Sequence, residues 1–386
     1  MTENGERVSS HGDAEEHMDF NHTEERQMLA DTVERFVRDK YAIDQRHKIA
    51  EMESGYSPEV WAELAELGLI GALFPEDAGG FGGDAFDVMV VFEELGRGLV
   101  VEPFLPNLMA GRALVESGHT DLIEGVIGGE TMLAFAHGEP TSRYDLADVQ
   151  TAAERDGEGY RLSGAKAVVM GGDAADHLVV SARTGGDRRD RDGIALFLVD
   201  GADVERRGYA TADGYRAAEV RLDGAKATLV AENAIDTIET VHAIGIVAVC
   251  AEALGAAQVA TDMTLDYLKT RKQFGRPLAS FQVLQHRMAD LYTEMEQMRS
   301  MVVNAAGNFE RADRDWHVSA AKNYVGRAGL LIAEESIQMH GGIAMTWEYA
   351  VGHFAKRLTM IDAMFGDTDH HLERCMKLTR EKSVFA

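Results

Sequence analysis

The chain has 386 residues, of which 45% are hydrophobic, and its formal net charge is −27. A chain of this length is expected to fold as two or three domains with full-sized cores. The excess of acidic side chains argues against nucleic acid or an anionic membrane surface as a partner. No membrane-spanning helix is predicted, because no apolar run approaches the ~18 residues needed to cross a bilayer.

The N-terminus and the cysteines indicate a cytoplasmic protein. Residues 1–17 are polar and acidic, unlike a signal or transit peptide, so we predict a flexible extension there and a folded unit starting near Met18. Only two cysteines occur, Cys250 and Cys375, so no disulfide framework is implied. A reducing cytoplasm fits this cysteine usage.

Residues 18–130 have helical periodicity and predict an N-terminal helical domain. The first helix is expected to begin after Thr23, whose hydroxyl can cap its free N–H groups. Ser57-Pro58 opens the next one, since proline is favoured at the first helical position. A further apolar helix is predicted around 88–95.

The pattern changes to short strands in residues 131–232. Strands are predicted at 159–170, 177–182 and 193–200, separated by turns rich in glycine and aspartate. No helix-length pattern interrupts them, so an antiparallel barrel or sandwich is expected here, and not a βαβ sheet. The mixed-charge segment 187–193 is predicted to form a solvated hairpin tip.

Residues 233–386 return to helical periodicity, and the helices are long. They are predicted over 238–269, 281–312 and 316–340, which indicates a four-helix bundle closed by the C-terminal segments. The predicted fold class is therefore α+β, with a helical domain, a β domain and a helical bundle in that order.

Two segments carry a recognisable pattern. YLKTRKQFGRPLASFQVLQHRMADL occupies 267–291, where Gly275 and Pro277 break one long helix before the next begins. QMHGGIAMTWEY occupies 338–349. With the α–β–α order, these segments resemble the acyl-CoA dehydrogenase family over nearly all of 18–386. The resemblance implies subunits that dimerise and usually pair into tetramers, with FAD between the middle and C-terminal domains.

The resemblance also implies cofactor contacts, some of them made to the FAD of a neighbouring subunit. Arg271 would contact the diphosphate, because a guanidinium fork suits phosphate oxygens. Phe274 would pack on the cofactor, and Gln282 would lie close to it. The remaining implied cofactor contacts belong to Gln338, Gly341, Gly342 and Thr368.

The catalytic base of this family has no clear counterpart. The reaction removes a proton from the acyl α-carbon while hydride leaves the β-carbon, and the base is usually a glutamate near the C-terminus. An ungapped match places Gly366 there, and a one-residue slip places Asp367. Other members hold the glutamate on the first long bundle helix, where this chain has Gly245. The nearest acid, Glu239, is between one and two turns away.

The positions that face the flavin ring differ as well. Residues 168–170 read Val-Val-Met where family members commonly have Trp-Ile-Thr. A Tyr-x-Val-Thr-Glu-Pro-like stretch reads FAHGEP at 135–140, so Gly138 replaces the threonine that would bond the flavin. The adenosine-end residues are thus retained, whereas the ring and base residues are altered.

This division is similar to the small subunit of pimeloyl-CoA dehydrogenases and related two-subunit enzymes. It implies an FAD-dependent acyl-CoA dehydrogenase that assembles with a Glu-containing paralogue, while a homodimer or homotetramer stays open. The substrate would be an acyl-CoA from fatty acid, dicarboxylic acid or steroid side-chain degradation. Electron-transfer flavoprotein would accept the electrons.

Two alternatives stay open. The chain could be a non-catalytic scaffold subunit that completes its partner's FAD site. It could also be a flavin oxidase-like relative that uses Asp367 as its base. His137 and His340 are expected to be core or turn histidines, although either could polarise a thioester carbonyl.

The segment FGDTDHH at 365–371 could supply metal ligands. Adjacent His370 and His371 would point about 100° apart on a helix, so they cannot easily share one ion. A helix cap by Asp367 or Thr368 fits better, and no metal is predicted. The apolar face of that helix is predicted to run through Leu372, Cys375 and Met376.

Overall fold

The structure is a computed structural model, and it describes residues 23–381. The extension predicted at 1–17 lies outside these residues. Within them the chain forms helices first, then strands, then helices again. This order confirms the predicted fold class.

The N-terminal part is helical. Its first two predicted helix starts are confirmed, because the Thr23 hydroxyl accepts a hydrogen bond from the Arg26 N–H, and the Ser57 hydroxyl accepts one from the Val60 N–H. Its helices are α1 (Glu24–Lys40), α2 (Ile43–Ala50), α3 (Pro58–Glu66), α4 (Ala85–Gly98), α5 (Phe104–Glu116) and α6 (Ile123–Ile127).

The middle part is a closed sheet. Its strands are β1 (Leu133–Ala136), β2 (Ala152–Asp156), β3 (Gly159–Met170), β4 (His177–Arg183), β5 (Ile194–Asp200), β6 (Glu205–Ala210) and β7 (Arg216–Ala231). The order β4-β2-β3-β7-β5 closes because β5 also pairs with β4. β1 adds to β4, and β6 adds to β7. The predicted barrel is therefore confirmed, with parallel pairing only of β4 with β1 and β2 among the described strands.

A bulge in β3 shapes one wall of the region discussed below. Lys166 pairs with Val220 and Val169 with Ala218, so the register between β3 and β7 shifts. Val168 lies in the bulge with a φ of 53° and an exposed side chain. The extra residue turns the strand end, as bulges do.

The C-terminal part contains α7 (Ile235–Thr270), α8 (Gln282–Gly307), α9 (Arg314–His340), α10 (Val351–Ala363) and α11 (Thr368–Glu381), with a short hairpin of β8 (Lys272–Gln273) and β9 (Arg276–Pro277) between α7 and α8. The helix predicted to continue to residue 312 ends at Gly307. At this end the backbone N–H and the side-chain amide of Asn308 both donate to the Asn304 carbonyl, the amide at 2.7 Å.

Helix α7 corrects the prediction about apolar runs. It contains an 18-residue window with a mean hydropathy of 1.8, so by length and composition it could cross a membrane. In the fold 89% of that window is buried, against α4, α5, α9 and α10 among other elements. A helix that is apolar on all sides is also what the centre of a bundle requires. The sequence prediction overlooked it because Glu252 interrupts the run.

That glutamate belongs to a buried ion cluster that joins the parts of the molecule. Arg357 is only 2% exposed and donates to both carboxylate oxygens of Glu252, at 2.7 and 2.6 Å. It also donates to Asp213 Oδ2 at 2.8 Å, and its guanidinium lies 3.9 Å from the Tyr215 ring centroid. Arg46 of α2 donates to the Asp213 carbonyl. Because buried charges need partners, this cluster fixes the three parts relative to one another.

Candidate active site

A cavity of about 480 Å³ lies where the N-terminal helices, the barrel and the bundle meet. Its wall includes α5, the segment after β1, the β3 bulge, α7 and the segment before α11. Most of the lining is apolar, as in most small-molecule sites. The apolar lining includes Met109, Phe135, Val168, Met170, Ile246 and Phe365.

A surface groove of about 1230 Å³ adjoins this cavity. The two share residues 142–146, His370 and Arg374, so the groove leads directly into the cavity. The lining of the groove has six basic and five acidic side chains, whereas acidic residues strongly outnumber basic ones in the whole chain. The basic residues are Arg143, Arg189, Arg191, Arg374, Lys377 and Arg380.

The base position at Gly366 is closed to any side chain. Gly366 is buried with a φ of 115°, in the region that favours glycine. A Cβ atom there would lie 2.5 Å from His370 Cδ2 and 2.7 Å from His371 Nε2, so both rings would have to move to admit it. The buried Lys322 ammonium donates to the Gly366 carbonyl at 2.7 Å and holds the segment in place. Glycine is therefore required by the packing around this position.

The second base position, Gly245, packs tightly against a neighbour. A Cβ atom there would meet Met109 Sδ at 3.0 Å and Met109 Cε at 3.2 Å, so the methionine would have to shift slightly to admit a side chain. No acid stands at this position. Glu239, the nearest acid on that helix, pairs instead with Arg191 at 2.6 Å.

Asp367 caps α11. Its Oδ1 accepts a hydrogen bond from the His370 N–H at 2.9 Å, which confirms the predicted helix cap. Burial, together with the nearby Asp367 carboxylate, raises the pKa of Tyr144. Asp367 lines the groove but is not part of the cavity wall. The adjacent Thr368 hydroxyl donates to Asp362 Oδ1 at 2.7 Å.

Replacing Asp367 distinguishes a helix-capping role of this residue from a role as the catalytic base. We expect Asp367→Ala to cost about 1 kcal/mol of unfolding free energy, because a helix cap is lost. Asp367→Asn keeps an acceptor oxygen and is expected to cost less. Urea unfolding and turnover of the assembled enzyme check both variants. A loss of roughly 100-fold or more in turnover for the Asn variant, at unchanged stability, would instead show acid–base catalysis.

The predicted apolar face of α11 is wrong. Leu372 and Met376 are each 50% exposed, and the buried residue of the helix is His371. The His371 Nε2–H donates to the Phe365 carbonyl at 3.1 Å, and α11 packs on α9. The rings of His370 and His371 are inclined at 89° to each other. Residues 23–381 contain no group of three side chains able to hold a metal ion.

Glu139 has a structural partner set, which explains why it is retained. It pairs with the fully buried Lys166 at 2.9 Å and accepts hydrogen bonds from the Thr151 N–H and hydroxyl, at 2.9 and 2.7 Å. Burial lowers the pKa of Lys166 to about 8. Burial alone would raise the pKa of Glu139, but the Lys166 ammonium lowers this pKa below its ordinary value. This carboxylate is committed to the fold.

Three histidines line the cavity, and sequence reasoning overlooked one of them. His242 lies on α7 one turn before Gly245, a spacing that places both on one helix face. Burial lowers the pKa of His242 to about 3, and burial lowers that of His137 well below its ordinary value. The two rings meet edge to face with centroids 5.4 Å apart. His370 is the third.

The residues predicted at the adenosine end of FAD lie elsewhere, on an exposed surface. Phe274 sits at the turn of the β8–β9 hairpin with a φ of 53°, and it is 90% exposed. Arg271 and Gln282, on either side of the hairpin, are exposed as well. An exposed guanidinium beside an exposed aromatic ring fits a diphosphate and a planar ligand.

Stacking joins the ends of two helices at this surface. Tyr267, one turn before Arg271, stacks on His340 with centroids 4.6 Å apart. The His340 Nδ1–H donates to the Ser336 carbonyl at 2.8 Å, so His340 is a core residue as predicted. Cβ atoms at Gly341 or Gly342 would meet nothing within 4 Å, so their backbone is open to a ligand. Gln338 next to them is exposed, whereas Thr368 lies apart on α11.

The molecule is thus a three-part α–β–α protein with an apolar cavity at the junction of its parts, a charged groove leading in, and a separate exposed site. Three family models match it: the acyl-CoA dehydrogenase N-terminal domain at 23–124, the middle domain at 134–225, and the C-terminal domain at 237–378.

Comparison with known proteins points to the same family. The chain is 31% identical over 355 residues to the acyl-CoA dehydrogenase IpdE2 of Mycolicibacterium smegmatis, covering 91% of this chain and 98% of that one. A variant of the Tcur3481-Tcur3483 steroid ACAD is 32% identical with a TM-score of 0.85, covering 93% and 99% of the two chains. The ChsE4-ChsE5 complex from Mycobacterium tuberculosis is 26% identical with a TM-score of 0.86, covering 94% and 99%.

The chain belongs to the acyl-CoA dehydrogenase family. Its members are oxidoreductases that act on the CH–CH bond of acyl-CoA thioesters, and membership points to a flavin cofactor. The ChsE4-ChsE5 relative is a complex of two different chains, as expected from the small-subunit resemblance.

Proposed function

We propose that this chain is the base-poor small subunit of a heteromeric, FAD-dependent acyl-CoA dehydrogenase. One observation carries the proposal: both positions for the catalytic glutamate are glycines, and neither accepts a side chain without movement of its neighbours. His370 and His371 crowd Gly366 severely, and Met109 packs tightly against Gly245. A Glu-containing paralogue is then the subunit that abstracts the α-proton.

The cofactor site is shared in this proposal. The chemistry that FAD supplies in such reactions is the acceptance of a hydride. Arg271 of this chain neutralises the diphosphate of the partner's FAD, and Phe274 packs on the cofactor beside Gln282. Their exposure supports this role, since none of them lines the chain's own cavity. The other proposed cofactor contacts are Gln338, Gly341, Gly342 and Thr368.

Exposed apolar side chains in the same segments as these residues support a hetero-oligomer. Besides Phe274, they are Val283, Met345 and Trp347. Large exposed apolar surface on a protein often marks an interface. We therefore propose that the hairpin and the segment after α9 form the contact with the partner subunit.

The groove and cavity are proposed to take the acyl-CoA. Arg189 and Arg191 are tied to Asp148 and Glu239. By contrast, Arg143, Lys377 and Arg380 form no ion pair within residues 23–381, and these cations suit the phosphates of coenzyme A. Residues 142–146 connect them to the cavity, so the thioester end enters apolar surroundings.

Charge reversal in the groove tests this. We expect the double variant Arg143→Glu, Lys377→Glu to bind octanoyl-CoA at least about tenfold more weakly, because hydrogen bonds to charged groups are lost. Isothermal titration at low salt measures the affinity. The double variant Arg221→Glu, Lys226→Glu, on the exposed face of β7, makes the same charge change away from the groove and should bind like the parent chain. Equal affinity in all three would exclude the groove as the CoA site.

The substrate, acceptor and location complete the proposal. A roomy apolar cavity and the similarity to a steroid ACAD support a ring-bearing acyl group from steroid side-chain degradation. Electron-transfer flavoprotein is the proposed electron acceptor.

Both cysteines are free, which supports a cytoplasmic location. We place the domains at 18–130, 131–232 and 233–386. Asp367 as a base stays the alternative that its Asn variant tests.

A further inference from the structure

One histidine in the cavity wall is held in a single protonation form by its neighbours. Lys166 is fully buried, and its ammonium has three hydrogens to donate. All three have acceptors: Glu139 Oε1 at 2.9 Å, Ser181 Oγ at 3.0 Å and the His137 carbonyl at 3.1 Å. The Ser181 oxygen is therefore an acceptor toward the lysine.

The serine hydroxyl then decides the tautomer of the imidazole. Ser181 Oγ lies 2.9 Å from His137 Nδ1. Lys166 uses one of the two lone pairs of this oxygen, and the hydroxyl hydrogen still needs an acceptor. Within residues 23–381 the ring nitrogen Nδ1 is the one acceptor that the buried Ser181 hydroxyl reaches, so the hydrogen points at Nδ1. A ring nitrogen that accepts a hydrogen bond carries no hydrogen itself, so the neutral ring of His137 is protonated on Nε2.

The remaining Nε2–H has no hydrogen-bond partner within residues 23–381. His137 is 6% exposed, and it lines the cavity. Its neighbours there are Phe135, stacked at 6.0 Å, and the neutral His242. Burial and the nearby Lys166 charge keep the imidazole neutral, by lowering its pKa. The cavity thus presents one oriented, uncharged donor in apolar surroundings.

We propose that His137 is a specificity-determining residue whose Nε2–H donates a hydrogen bond to a carbonyl oxygen of the molecule in the cavity. A single neutral donor matches a neutral acceptor such as a ketone or a thioester. A purely hydrocarbon ligand would leave this donor without a partner, so it should bind more weakly than a ligand with a carbonyl group. The inference rests on the proposed acyl-CoA function and deepens it by naming the group that the cavity recognises.

The tautomer is tested first, on the full chain without ligand. In ¹⁵N-histidine spectra, the signals that disappear in His137→Val should be those of an Nε2–H imidazole at neutral pH. Ser181→Ala removes the donor to Nδ1 and should make this ring a mixture of tautomers. An Nδ1–H signal for His137 in the parent chain would overturn the proposal. This readout needs neither coenzyme A, FAD nor a partner, so it is independent of the proposed function.

Binding is tested with a matched pair of probes, 2-tetralone and tetralin, which share a bicyclic skeleton and differ by one carbonyl group. We expect His137→Val to weaken the binding of 2-tetralone about fivefold, which is the effect of one neutral hydrogen bond. The affinity for tetralin should not change. His317→Val, a half-buried histidine of α9 bonded to Asn304, is the control and should change neither. Equal losses for the two probes would refute a hydrogen bond and show a packing effect.

Infrared spectra separate the two sources of the carbonyl. The stretch of ¹³C-labelled octanoyl-CoA reports the thioester, and that of labelled 2-tetralone reports a ring ketone. One of the two carbonyl bands should lie at lower frequency when its probe is bound to the parent chain than when it is bound to His137→Val. That band identifies the oxygen that accepts the hydrogen bond from the Nε2–H. If neither band depends on His137, the proposal fails, even where the groove still binds coenzyme A.

Discussion

Gly366→Glu is expected to destabilise the chain by about 4 kcal/mol, without giving it a working base. Part of the cost arises because φ at this position is 115°, which a side chain adopts only under strain. The rest arises because the new side chain must displace His370 and His371 from their packed positions. The displaced His371 would also lose its bond to the Phe365 carbonyl.

Urea unfolding measures this loss against a matched change. Gly157 has a φ of 62°, and a Cβ atom there would meet nothing within 4 Å. Gly157→Glu should therefore cost only about 1 kcal/mol, the backbone part of the effect. A Gly366→Glu chain as stable as the parent, and able to reduce flavin with an acyl-CoA, would show that the site is not closed.

Arg271→Ala is expected to weaken FAD binding by the assembled heteromer about 100-fold, since two charge-assisted hydrogen bonds to the diphosphate are lost. The stability of the isolated chain should not change, because Arg271 is exposed and forms no ion pair within residues 23–381. Lys272→Ala, in the same hairpin, is the control and should retain FAD. Flavin released on dilution, followed by fluorescence, gives the affinity. Equal retention by both variants would remove Arg271 from the cofactor site.

Local rules account for most of the fold. Thr23 and Ser57 were identifiable as helix caps because a cap depends on a few adjacent residues. Strand periodicity predicted the barrel because the two faces of each strand differ in burial. The end of α8 at Gly307 was missed because helix boundaries depend on local contacts, such as those of Asn308, that periodicity does not reveal.

The site itself depends on contacts between distant residues. The sequence placed glycine at 366, but only the structure shows that His370 and His371 fill the space beside it. The His137 tautomer depends on Lys166 and Ser181, which lie on two different strands. Leu372 and Met376 are apolar and were therefore expected to be buried, but both are half exposed. The sequence does not show which face of α11 meets α9.

The open cavity bears on the choice between a small subunit and a pure scaffold. A scaffold would have no need for a cavity of about 480 Å³ joined to a groove with three unpaired cations among the described residues. We therefore favour a subunit that binds part of the substrate while its partner performs the proton transfer.

Anaerobic flavin reduction tests the central claim most directly. The flavin absorbance band is followed after mixing this chain, FAD and a CoA thioester that the assembled pair oxidises. The proposed division of labour predicts no bleaching with this chain alone, rapid bleaching once the Glu-containing paralogue is added, and strongly reduced bleaching when the added pair carries Arg271→Ala. Rapid bleaching by this chain alone would contradict it and would place a working base within this subunit.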